Sequence, residues 1–203
     1  MASNYDRMEQ QSRELFLQHD QGAILRRWDL RSDDEFIYLT LFSDPMKLRR
    51  DAAVLSPDGD GYPMKSTVNE SMILFDLLTR SEERPRAAGR WTSISGLGGI
   101  IGSGHDRTLS HEPEAARFAG QTERLRAACL RLGGVPTGKA DVGFAIPVFE
   151  DFAILFQFWD ADDEFPAQIK FHFDENALRF MHYETLWYVM MCVMDRIRWQ
   201  FEK

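Results

Sequence analysis

Two apolar segments near the end of the chain are separated by a link too short for a crossover. "FAILFQFW" ends at Trp159 and "QIKFHF" begins near Gln168. Parallel neighbours need a connection of a dozen or more residues, usually with its own helix, so these two strands must pair as an antiparallel hairpin. In "QIKFHF", Ile169, Phe171 and Phe173 alternate with Lys170 and His172, the period-two signature of a strand with one buried face. "VGFAIPVF" supplies another strand just before, and residues 182–201 read as a long apolar helix.

The earlier part of the chain fits the same class. Residues 4–27 read as one or two helices, with Gly22 as a candidate break. "EFIYLTLF" is apolar on both faces and reads as a central strand. Ser43-Asp44-Pro45 then turns the chain into the more polar strand "MKLRRDAAVL", and "SPDGDGYP" turns it again. Thr67 and Glu70 have capping-box spacing, opening a helix that ends near Thr79. "RWTSI" is a short extended piece before a glycine-rich stretch at 96–104. Ser110 and Pro113 mark a helix start. Phe118, Leu125, Ala128 and Leu132 form one helical stripe, ended by Gly133-Gly134. The order is helices, strands, helices, strands, helix, without βαβ alternation. It predicts an α+β fold: an antiparallel sheet with helices packed on it. Apolar segments at both ends and no linker between them predict a single domain over residues 1–203.

Charge and cysteine usage exclude several function classes. The net charge is −8, and the densest basic stretch is Lys47, Arg49 and Arg50, so nucleic acid is not an expected partner. Cys129 and Cys192 stand alone with no CxxC spacing, which argues against a zinc site or a cysteine-ligated iron–sulfur cluster and fits a reducing cytoplasm. The polar start "MASNYDRMEQ" has no apolar signal region, and the longest apolar run, Leu186 to Met194, falls short of the roughly 20 residues that span a bilayer. No membrane association is expected.

The candidate sites are few. Asp160, Asp162, Asp163 and Glu164 crowd the tip of the expected hairpin. Their mutual repulsion could be relieved by a cation, but the glycine and ligand spacing of a calcium loop are missing, so a solvated turn without a tight metal is expected. Asp58 and Asp60 in "SPDGDGYP" match the first EF-hand positions, but Pro63 stands where the required glycine would be. "ISGLGGIIGSGHD" is neither a dinucleotide fingerprint nor a Walker loop. It is nonetheless the best ligand-lining candidate, with Gly96, Gly98 and Gly99 exposing backbone amides and Trp91 and His105 bracketing them. His111 also flanks this stretch, and His172 and His182 read as surface or hydrogen-bonded side chains. No GxSxG elbow exists, and the aromatic and methionine stripe over 186–201 reads as core.

"YLTLFSDPMKL", "RWTSISGLGG", "ACLRLGGVPTGKADVGFAIPVF" and "FQFWDADDEFPAQIKFHFDENALRFMHYE" together resemble an uncharacterised prokaryotic domain family, over about residues 20–197. That family is common in anaerobic bacteria and archaea and is sometimes fused to an iron–sulfur-cluster domain. The resemblance implies one-carbon, corrinoid or anaerobic redox metabolism and assigns no catalytic residue or cofactor. The expectation is a cytoplasmic domain that binds a small molecule or a protein partner. Its rivals are a metal-assisted enzyme using the 160–164 carboxylates and an oligomerisation module.

Overall fold

The computed structural model describes residues 4–63, 68–98 and 111–203. Along them the chain forms α1 (Asn4–Gln18), α2 (Gln21–Trp28), β1 (Arg31–Ser32), β2 (Phe36–Leu41), β3 (Asp44–Arg49) and β4 (Val54–Pro57). Next come α3 (Val68–Arg80), β5 (Trp91–Thr92), a 3₁₀ turn at Ile94–Leu97, α4 (Glu112–Phe118) and α5 (Thr122–Arg131). β6 (Val135–Pro136), β7 (Val142–Phe149), β8 (Phe152–Trp159), β9 (Gln168–Asp174), α6 (Ala177–Phe180) and α7 (Thr185–Glu202) complete it. The fold is α+β, and every strand pairing among the described residues is antiparallel.

Two sheets form where one was expected. The first has the order β1-β2-β3-β4 and the second β5-β9-β8-β7-β6. They meet where the Phe42 N–H donates to the Val148 carbonyl at 2.8 Å. The β8–β9 hairpin runs in register from Trp159 opposite Gln168 to Ile154 opposite Phe173, as the short link requires.

Several local expectations shift by a few residues, each for a visible reason. Asp20, not Gly22, separates the first two helices: it is extended, and its carboxylate accepts the Ala23 N–H at 3.1 Å as the α2 cap. The turn expected at Ser43-Asp44-Pro45 sits at Phe42-Ser43, both with positive φ (53° and 66°), while Asp44 and Pro45 already belong to β3. Such two-residue turns favour Asn-Gly. Here tertiary contacts hold the conformation: Phe42 is buried under the Arg196 guanidinium, and the Ser43 hydroxyl donates to the Leu132 carbonyl at 2.9 Å. The single stripe over 118–132 is two helices, broken at Gly120 (φ 69°), although Phe118, Leu125, Ala128 and Leu132 are all buried. Thr67 lies outside the described residues. Its expected capping partner Glu70 instead accepts from Arg196.

α5 ends in a Schellman motif. The Gly133 N–H reaches the Leu130 carbonyl and the Gly134 N–H reaches the Cys129 carbonyl, at 2.9 and 3.0 Å. Gly133 has φ 72°, and a Cβ on Gly134 would lie 2.7 Å from the Cys129 carbonyl oxygen and 2.8 Å from Ile146 Cδ1. The glycine pair is therefore required by both backbone conformation and packing against β7.

α3 lies between α1 and α7, and α5 packs on α7 and β7. Phe16, Phe75, Phe144, Phe156, Phe173 and Phe201 contribute to one buried cluster drawn from both sheets and these helices. Each such ring stabilises by about 1.5–3 kcal/mol relative to exposure. α7 buries Leu186, Val189, Val193 and Ile197 yet carries Asp195, Arg196, Arg198 and Glu202, so it is not apolar throughout. No helix among the described residues is long and apolar enough to cross a membrane.

Candidate functional site

The hairpin tip uses its carboxylates on the chain itself. Asp160 accepts the Gly120 N–H through both oxygens, at 2.9 and 3.1 Å, tying the β8 end to the α4–α5 junction. Asp162 Oδ1 accepts the Glu164 and Phe165 N–H groups at 2.9 and 2.7 Å, a local turn that a side-chain carboxylate can close. The Phe165 and then the Glu164 amides hold its carboxyl below the usual range. Asp163 and Glu164 are exposed beside them. Among the described residues no group of three or more His, Cys, Asp or Glu side chains is placed to hold a metal ion.

The glycine stretch starts from a short, well-tied anchor. Trp91 is half-buried in β5, paired with Asp174. Asp174 is itself buried and accepts the Ala88 and Gly89 N–H groups at 2.7 and 2.8 Å. Ser93 caps the 3₁₀ turn by accepting the Gly96 N–H at 3.3 Å, and a Cβ on Gly96 would run into the Thr92 hydroxyl. Gly98 closes the turn at φ 75°. Gly99 and His105 lie outside the described residues.

Beside this anchor is a cleft of about 330 Å³. β5 is only two residues long and pairs with Phe173 and Asp174, so among the described residues no strand covers the β9 edge from Gln168 to His172. The cleft occupies that gap. Ser93 and Ile94 form one side, His111 at the start of α4 a second, Ile169 to His172 the β9 side, and Trp187 and Met190 of α7 the remaining wall. The His111 ring packs edge-on against Phe171 with centroids 5.2 Å apart.

Electrostatics set the character of this cleft. Burial pulls the His111 imidazole below its usual value, partly opposed by Glu114. Burial, then the Lys170 and Lys139 ammonium groups, pull His172 down as well. Both rings are therefore neutral at pH 7, each able to donate at one nitrogen and accept at the other. The Lys170 ammonium lies 5.2 Å from the Trp159 ring centroid. Among the described residues no carboxylate lines the cleft. His172 Nδ1 is buried without a hydrogen-bond partner among the described residues. Such an atom carries a desolvation cost that a ligand donor or acceptor would remove.

Elsewhere the titratable groups act as ties. Asp76 of α3 accepts the His182 N–H, the Thr185 hydroxyl and His182 Nδ1 at 2.6, 2.7 and 3.0 Å, fixing the entry to α7. Burial pushes the Cys129 thiol up to about 12 and raises Cys192 further, so neither is a nucleophile at neutral pH.

A family described as a domain of unknown function (DUF3786) matches residues 20–196. The chain belongs to that family. The DUF3786 span runs from the α2 cap into α7 and so takes in both sheets and every residue lining the β9 cleft. No curated protein and no solved structure matches the chain.

Of the ligand-lining residues expected from the sequence, Trp91, Gly96 and Gly98 are not among those lining the cleft, and Gly99 and His105 lie outside the described residues. His111 and His172 come from separate segments of the sequence, and Trp187 and Met190, which read as core, do pack in or against the core cluster while also lining the cleft. The signal that could have joined them was the shortness of "RWTSI" against the length of "QIKFHF". A strand edge left uncovered must be met by something other than a strand.

Proposed function

We propose that this DUF3786 domain binds a small molecule in the β9-edge cleft. The supporting observations are a cleft lined by Phe171, Trp187 and Met190 together with His111 and His172, and the buried His172 Nδ1, which has no hydrogen-bond partner among the described residues. Small-molecule sites combine an apolar lining with a few placed polar groups. Two imidazoles in an apolar lining, with no carboxylate among the described lining residues, complement a flat, largely apolar ligand with a polar edge. In this reading the domain works in the cytoplasm, and the family resemblance associates it with anaerobic one-carbon or redox metabolism. The 160–164 carboxylates are engaged with backbone amides at Asp160 and Asp162, so the ligand reading takes precedence over a metal-assisted enzyme there.

The experiment is a thermal-shift and isothermal titration series with benzoate, nicotinate and indole-3-acetate, in the intact chain and in His172→Phe and Trp187→Ala. At least one probe should stabilise the intact chain saturably, and both substitutions should weaken that binding tenfold or more. Binding unaffected by either substitution, or no binding by any probe, refutes the reading.

A further inference from the structure

A second cleft, of about 400 Å³, opens where the last turn of α2 faces the loop after α3 and the β7–β8 turn. On a chain of net charge −8, four guanidinium groups line it: Arg26 and Arg27 from α2, and Arg84 and Arg86 from the loop. Two are engaged. Arg27 donates to the Ser81 carbonyl and hydroxyl, both at 3.2 Å, and Arg86 pairs with Asp151. The other two are not. Arg26 has only Asp20 at 3.7 Å, with both side chains largely exposed, and Arg84 has no ion pair among the described residues.

Two further observations fall in the same place. Trp28 lines the cleft, is 6% exposed, and its indole Nε1–H has no hydrogen-bond partner among the described residues. Its ring is held by Phe149 and Phe180, with centroids 5.0 and 6.3 Å away, so the N–H is fixed in position. The backbone is also strained there. Asp29, Arg84 and Glu150, with φ of 51°, 55° and 45°, are three of the seven non-glycine residues in the left-handed region among the described residues, and all three line this cleft. Glu150 starts the two-residue β7–β8 turn, where glycine would relieve the strain. Charged side chains stand instead at all three positions, and strain retained in this way concentrates at ligand sites.

We infer that this cleft binds an oxyanion group, a phosphate or a carboxylate of a small molecule, through Arg26, Arg84 and the Trp28 indole N–H. The planar fork of a guanidinium matches both anions, and a buried indole is a donor only. Asp29 and Glu150 also line the cleft, and Asp151 there is paired with Arg86, so the carboxylates offset part of the positive charge and favour a ligand with one compact anionic group over a polyanion.

The test uses the full chain at low ionic strength, titrated calorimetrically with inorganic phosphate, phenyl phosphate, acetate and succinate. Saturable binding of at least one probe is expected. Arg84→Gln and Arg26→Gln should each weaken it tenfold or more, and Trp28→Phe, which keeps a ring against Phe149, should weaken it by a smaller factor. Arg49→Gln, remote from the cleft and paired with Asp51, is the control and should bind normally. Preference for phosphates or for carboxylates assigns the source of the anion. The inference is overturned if no probe binds saturably, if Arg84→Gln and Arg26→Gln both bind as the parent chain does, or if Arg49→Gln loses as much affinity. Arg84 and Arg26 are exposed, so their variants fold even if Trp28→Phe does not.

Discussion

Replacing Arg196 by Met should be the most damaging single change in α7 that keeps its volume. The Arg196 side chain is 2% exposed. Its Nη1 donates to Glu70 at 3.1 Å and its Nε to Asp44 at 3.4 Å, and its guanidinium carbon lies 4.3 Å from the Phe42 ring and 4.4 Å from Tyr62. Glu70 is 5% exposed, so removing the arginine strands a carboxylate away from water, whereas Asp44, 22% exposed, can be hydrated. Stranding one member of a buried ion pair costs about 3–5 kcal/mol. With a urea dependence of about 2–3 kcal/mol per molar, suited to a domain of this size, the midpoint should fall by about 1–2 M. Adding Glu70→Gln removes the stranded charge, so Arg196→Met/Glu70→Gln should be more stable than Arg196→Met alone by about 1 kcal/mol or more. The assay is equilibrium urea unfolding followed by circular dichroism and tryptophan fluorescence. A single-variant loss below about 1 kcal/mol, or a double variant less stable than the single, would show that Glu70 is not held by this arginine.

Gly134→Ala should cost about 2 kcal/mol or more in the same assay, because the new Cβ meets the Cys129 carbonyl oxygen at 2.7 Å and backbone cannot swing aside. Stability should fall as pH is lowered through and below 6.5: the folded-state values of His111 and His172 lie below that ordinary value, so the unfolded chain takes up protons first. Melting temperatures at pH 7.5 and 5.5 should show the loss, and His172→Gln should reduce it. Glu150 has the opposite sign. Partial burial, then Asp151 and Asp29, raise its carboxyl above 4.5, so its favourable contribution is present below 4.5 and lost as pH rises. Glu150→Gln should therefore raise the urea midpoint at pH 7 and leave it unchanged at pH 4.

The parts of the fold that were legible in the sequence rest on short-range rules. The period of two in "QIKFHF" and the shortness of the 160–167 link fix the β8–β9 hairpin without any tertiary information. Gly133-Gly134 is readable because only a few residue types suit the left-handed end of a helix. The misplaced β2–β3 turn shows the opposite case. Phe42-Ser43 lacks the Asn-Gly chemistry that a two-residue turn favours, and Phe42 is held there beneath Arg196, a partner remote in sequence. The division into two sheets was hidden for a similar reason: β1 and β6 are two-residue edge strands with no periodicity to detect. The β9-edge cleft combines a 3₁₀ turn, a helix start, a strand edge and a helix face, so no sequence window contains it.

The acidic composition acquires a structural meaning once each buried carboxylate is followed to its partner. Asp44 and Glu70 meet Arg196 of α7, Asp76 holds the entry to α7 from α3, and Asp174 holds the backbone of the loop before β5. In each case a carboxylate accepts donors from a segment remote in sequence, satisfying buried N–H and guanidinium groups that would otherwise oppose folding. Asp160 does the same at lower burial, across the α4–α5 junction. Within the carboxylate cluster most conspicuous in the sequence, Asp160 and Asp162 hold the chain's own amides, while Asp163 and Glu164 stay exposed. Among the described residues, His172 Nδ1 and the Trp28 indole Nε1 are two of the buried polar atoms without a hydrogen-bond partner, and each belongs to a residue that lines a cleft.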